Sequence, residues 1–185
     1  MNQIEEASWS RPLRALFGDG MFAAVGGRRR DDRRMDALDV MRLRTNDPRG
    51  WPRCAVAPDG GDYGSGLDNP FHAVTPADFS GAFPVSRAGA EHLVVTLQGE
   101  WSQVEDIPDF AAREAELISH AHVILARFGA DALFFTNAAT AREDPHADMF
   151  RWAGSYEGFT RHVMDCGVIA VSPTEVGIFC GFTVD

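Results

Sequence analysis

The chain reads as an α+β protein: a small mixed β-sheet with one long amphipathic helix and several short helices packed mainly on one face. Three observations predict this. Residues 108–128 carry an apolar stripe of helical period, formed by Phe110, Leu117, Ala121, Ile124 and Phe128. Short β-rich runs flank that helix, HLVVTL at 92–97 and ALFFT at 132–136. The chain closes with two further apolar runs, 167–171 and 176–184, separated by Ser172, Pro173 and Thr174 in the manner of a hairpin.

Taken in order, residues 9–17 and 35–43 read as short helices, the first with Leu13, Leu16 and Phe17 on one face and the second with Leu38 and Met41. Between them GGRRRDDRR, residues 26–34, reads as a solvated turn or helix surface. Residues 45–70 are rich in proline and glycine, a long loop with room for one short strand at 54–57. That loop separates an arginine-rich helical and loop subregion, 1–70, from an acidic α+β domain, 71–185. Run 92–97 is a buried strand by its β-branched content, and 99–109 is a loop holding Trp101 and four acids. The helix of 108–128 ends at Gly129, a residue suited to the C′ position. A helix of that length between two apolar strands is a crossover unit, so 92–97 and 132–136 are expected to be parallel neighbours. Two short helices are expected at 145–153 and 156–165, the second capped by Ser155.

A chain of 185 residues buries roughly 70% of its unfolded surface, enough for a full core. Its composition, 45% hydrophobic and 24% charged, excludes wholesale disorder, collagen and coiled coil. Net charge is −10, which argues against a general nucleic-acid binder. The charge is uneven. Residues 1–53 hold eleven arginines and eight acids; the remainder holds six and nineteen. All basic residues are arginine, read as the codon habit of a GC-rich bacterial genome. The N-terminus lacks the apolar core of a secretory signal, and no apolar run reaches membrane-spanning length. The three cysteines, Cys54, Cys166 and Cys180, fit neither a disulfide framework nor a zinc spacing. A cytoplasmic setting is expected, with no cofactor, metal, nucleic acid or membrane partner.

The segments AEHLVVTLQGE and GADALFFTNAA, with the amphipathic helix between them, resemble a bacterial family catalogued as a domain of unknown function, numbered four-two-six-one. The resemblance spans roughly residues 70–150. Phe134 and Phe135 stand where that family carries tyrosine and tryptophan. It implies no activity and no catalytic residues. Some members lie near secreted-toxin loci, which implies an interaction role.

Several motifs carry chemistry on paper. His120 and His122 have the H-x-H spacing, but on a helix their rings point about 200° apart. Asp144, His146 and Asp148 could ligate a metal, or simply cap a helix with Pro145 at its first position. Gly18, Gly20 and Ala23 match a loose dinucleotide fingerprint, but the flanking residues lack the required strand and helix. His162, Asp165 and Cys166 form the nearest approach to a base, orienter and nucleophile, set against a buried structural cysteine. A small hydrolase or transferase using that Cys/His pair, or a weakly bound metal, is the alternative reading. The favoured one is a non-catalytic protein-binding module, of immunity type, that neutralises a basic toxin or effector. Its contacts would be Glu100, Trp101, Glu105, Asp106, Trp152 and Tyr156, with acids steering a basic partner and aromatics anchoring it.

Overall fold

The computed structural model describes residues 5–17, 21–55, 64, 66–99, 102–151, 155–160 and 164–183. Its architecture is α+β. Six strands form one sheet: β1 (Met21–Gly27), β2 (Cys54–Ala55), β3 (Phe83–Val85), β4 (Leu133–Thr136), β5 (Met164–Val171) and β6 (Glu175–Thr183). Their order is β2-β1-β6-β5-β4-β3, and every neighbouring pair is antiparallel. The sheet is therefore not mixed. The expected parallel crossover fails because its first strand does not exist: residues 92–97 belong to helix α3 (Arg87–Thr96) and the turn after it.

The physical reason for that helix is burial. Ala90, Leu93, Val94 and Leu97, spaced at three, four and seven, are all 2% exposed or less, and so is Val95. A helix enclosed on nearly every side presents a continuous apolar run, which periodicity alone cannot tell from a buried strand. Ser86 starts it, its hydroxyl accepting from Gly89 N at 3.1 Å. The first element of the family-like pattern is thus helical.

Both faces of the sheet are covered. Helices α1 (Glu6–Leu16), α3 and α4 (Phe110–Ala126) share one core with Ala23, Val25, Cys166, Val168 and Phe179. Helix α2 (Arg33–Met41) and the segment around Phe71, Val74 and Phe79 bury the opposite face, against Phe22, Ala24, Ile169 and Ile178. The long helix matches its expected stripe, with Leu117, Ala121 and Ile124 fully buried. Gly177 lets it approach: a Cβ there would meet the Phe128 ring at 2.3 Å. The terminal hairpin pairs Val171 with Val176, and its turn is held by Ser172 Oγ accepting from Glu175 N at 2.9 Å.

Other elements also differ from expectation. The strand β1 lies where no element was expected, and all seven of its residues pair with β6. The edge strand β3 holds Pro84, which fits an edge position because proline donates no ladder hydrogen bond. Among the described residues, the expected helices at 145–153 and 156–165 are replaced by a short 3₁₀ turn, Met149–Arg151, by a 156–160 loop in which Tyr156 bridges Ala138, and by the start of β5. Residues 152–154 and 161–163 lie outside the described residues. Among the described residues Ser155 precedes no helix; its carbonyl accepts from Ala139 N. A short helix α5 (Thr140–Glu143) precedes this region.

Segments 1–70 and 71–185, distinct in composition, share the sheet and are joined by a buried ion cluster. Arg127 follows α4, and its side chain is 0% exposed. Its Nη1 and Nη2 donate to Asp47 at 2.6 and 2.7 Å, and its Nε and Nη2 donate to Glu175 at 3.1 and 3.0 Å. Arg49 Nε reaches the same Glu175 at 3.0 Å. The Arg127 guanidinium lies against the packed pair of Trp9 and Trp51, 4.8 and 4.7 Å from their rings, which are 5.6 Å from each other. Burial opposes its charge, but the hydrogen bonds to Asp47 and Glu175 outweigh that and raise its pKa above the ordinary value. Among the described residues, no helix is long and apolar enough to cross a membrane.

Truncating Arg127 would strip Asp47 of its ion-pair partner in the interior and leave Glu175 with Arg49 alone. Arg127→Ala is expected to lower unfolding free energy by about 3–5 kcal/mol, measured by urea denaturation. A loss below about 1 kcal/mol would assign the cluster no structural weight.

Candidate functional site

An acidic surface develops at the front of α4, and the local sequence explains its shape. After α3 the chain turns sharply at Gly99, where a Cβ would lie 2.1 Å from the Gln103 carbonyl oxygen. A short 3₁₀ turn, Val104–Asp106, follows, and Ile107, 4% exposed, anchors it in the core. Glu105 and Asp106 are thereby held outward on a fixed support. Asp109, at φ 56°, precedes α4 without using its side chain to cap it. Along the first turns, Ala111, Ala112, Glu114, Ala115 and Glu116 are exposed. Residues 103–119 thus carry five carboxylates against the single Arg113, whose Nε is 3.9 Å from Glu116. Acids near a helix N-terminus also complement its dipole, so fold and charge agree here.

The 148–151 turn comes to the same end of α4. Phe150 packs against Phe110 at 5.1 Å and stacks on His92 at 3.9 Å. Asp148, about half exposed, lies 3.0 Å from His92 Nδ1 and 3.6 Å from Arg151 Nε. Sequence reasoning placed Asp148 beside the aromatics of this stretch but missed Phe150 and His92 as members of this surface. Their only signal was an aromatic beside an acid, which became meaningful once α3 proved helical. Glu105 and Asp106 stand exposed as expected. Glu100, Trp101 and Trp152 lie outside the described residues. Tyr156 is partly buried against the main core, and burial followed by the Asp165 charge raises its phenol pKa.

The remaining motifs take internal roles. Asp165 and Cys166 are consecutive on β5, so their side chains leave opposite faces. Asp165, 0% exposed, accepts from Asn137 Nδ2 at 2.8 Å, from Phe159 N at 3.0 Å, and from Thr160 N and Oγ1 at 2.5 Å. It anchors the 156–160 loop to the sheet. Cys166 is fully buried, and burial, reinforced by Asp165, pushes its thiol up to about 12. A thiol held protonated in packed core cannot serve as a nucleophile. His162 lies outside the described residues.

Asp144 accepts from His146 N at 2.8 Å and Asp148 from Phe150 N at 3.1 Å, so both carboxylates shape turns. His122 pairs with Glu91 across to α3 at 2.9 Å, while His120 Nδ1 is buried without a hydrogen-bond partner. No three metal-ligating side chains converge among the described residues. Ala23, from the dinucleotide-like GDGMFA, sits within β1, where that fingerprint requires a helix. Gly18 and Gly20 lie outside the described residues. Comparison with protein-family models, curated proteins and solved structures finds no match to this chain.

The buried thiols set a pH dependence. In the folded state Cys166 keeps a proton that the unfolded chain releases near its reference value of 9.0. Its contribution to stability is complete below pH 9 and is lost as pH rises toward 12. Cys180, also raised by burial, acts with the same sign. The urea midpoint is expected to fall across that window, less steeply in Cys166→Ala. In native protein at pH 8, iodoacetamide should label half-buried Cys54 well before Cys166 or Cys180, as read by peptide mass spectrometry.

Proposed function

We propose that this chain is a non-catalytic protein-binding module whose acidic surface takes a basic protein partner, with immunity-type neutralisation of a basic toxin or effector as the concrete form. The observation that carries this reading is the set of outward carboxylates at the front of α4: Glu105, Asp106, Asp109, Glu114 and Glu116. They face solvent from a helix and an anchored turn, so little ordering entropy is spent when a partner arrives. By contrast, four arginines of the first third are engaged within the fold: Arg28 with Asp36, Arg30 with Asp39, Arg34 with Asp32 and Arg49 with Glu175. Those four are already neutralised by other carboxylates and do not offset the charge at the front of α4. Such a field steers a basic surface into contact, and Phe150 beside Phe110 offers apolar area at the same end.

Burial of Cys166 supports the binding reading over thiol chemistry, because that thiol is closed to substrate. The test is co-purification with the product of the adjacent gene, followed by titration. Reversing Glu100, Glu105 and Asp106 together to lysine is expected to weaken that complex about tenfold or more, chiefly through slower association at low salt. A complex indifferent to both the reversal and salt, or no complex at all, would sink this reading.

A further inference from the structure

On the face of the sheet opposite α4, cover is incomplete. Helix α2 lies over β1 and β6, and the 79–82 turn stops short of β4, leaving an apolar slot of about 70 Å³ between them. Ala37, Phe79, Phe135, Ile169 and Val171 form its walls. Leu133 extends the apolar surface: it stands two residues from Phe135, opposite Val171 in the register, and is 54% exposed. At the mouth, the Arg33 guanidinium lies over the Phe135 ring at 4.5 Å. Its neighbour Arg34 is clamped to Asp32 at 2.9 Å, whereas Arg33 makes no ion pair among the described residues.

We propose that this slot is a binding site for a small aliphatic monocarboxylate. Its size decides the tail: the slot is about half the ~150 Å³ of a cavity that accepts benzene, so it takes a branch of a few carbons. The mouth decides the head, since a planar guanidinium with open donors matches a carboxylate in bidentate fashion. One such cation suits a monoanion better than a phosphate dianion. Resting on the Phe135 face, the guanidinium is held beside the slot by cation–π attraction while its edge stays open. This site is independent of the acidic surface on α4, so the failure of either reading leaves the other standing.

Isovalerate and its neutral counterpart, isoamyl alcohol, separate the two contributions. Each is titrated into isotope-labelled full-length protein while the backbone amides of Ala37, Phe135 and Ile169 are followed by NMR, with inorganic phosphate as a third arm. Isovalerate is expected to shift those amides saturably, with a dissociation constant on the order of 1 mM, and the alcohol about tenfold more weakly. In Arg33→Gln the acid should fall to the level of the alcohol. Equal binding of acid and alcohol by the native protein overturns the proposal. So do shifts centred elsewhere, phosphate binding as well as the acid, or no saturation by isovalerate. Comparing acid with alcohol on the native chain decides the matter even if the variant proves unstable.

Discussion

The guanidinium of Arg127 is the contact on which the arrangement of the chain depends. It sits at the end of α4, yet its two carboxylate partners come from the 42–53 segment and from the first residue of β6. Burying one charge would be prohibitive; burying it with two acids and a second arginine leaves the cluster close to neutral. The adjoining rings of Trp9 and Trp51 cover the pairs and offer their own π density to the guanidinium. Trp9 Nε1 donates to the Ile124 carbonyl at 3.1 Å, which fixes α1 along α4 by the same construction. One polar node thus orients the N-terminal helix, the connection into β2 and the start of the terminal hairpin.

With that node in place, the arginine-rich first third cannot be a loose appendage. It supplies β1 next to β6 in the interior of the sheet, α1 to one layer and α2 to the other. A second polar node, Asp165 with Asn137, does for the far end of the sheet what Arg127 does near the hairpin turn. Asn137 Oδ1 accepts from Gly167 N at 3.0 Å while its amide donates to Asp165. Both nodes satisfy their charges from several chain segments at once, which specifies a single packing.

The two faces of the sheet consequently differ at their surfaces. Above the layer containing α4, carboxylates collect where a helix dipole welcomes them and where few cations remain free. Below the opposite layer, a short helix and an irregular segment cover the strands less completely, and apolar wall is left beside an arginine. Positive and negative character, mixed along the sequence, is sorted by the fold into separate places.

Local pattern alone determined the α+β class, the long helix at 108–128, the two N-terminal helices and the terminal hairpin. Each of these has a periodicity or a turn that acts within a few residues. It also determined that Glu105 and Asp106 would face water, because an acid-rich loop before a helix has nowhere else to put them. Tertiary structure decided what local pattern could not. The run 92–97 became a helix because enclosure between sheet and α4 outweighed the β preference of Val94, Val95 and Thr96. The spacing of Ala90, Leu93, Val94 and Leu97 had carried that signal, masked by β-branching. The strand β1, built largely of alanine, valine and glycine, shows no alternation because both of its sides are buried. Burial of Cys166 and the pairing of Asp47 with Arg127 join residues remote in the chain, and only packing brings such residues together.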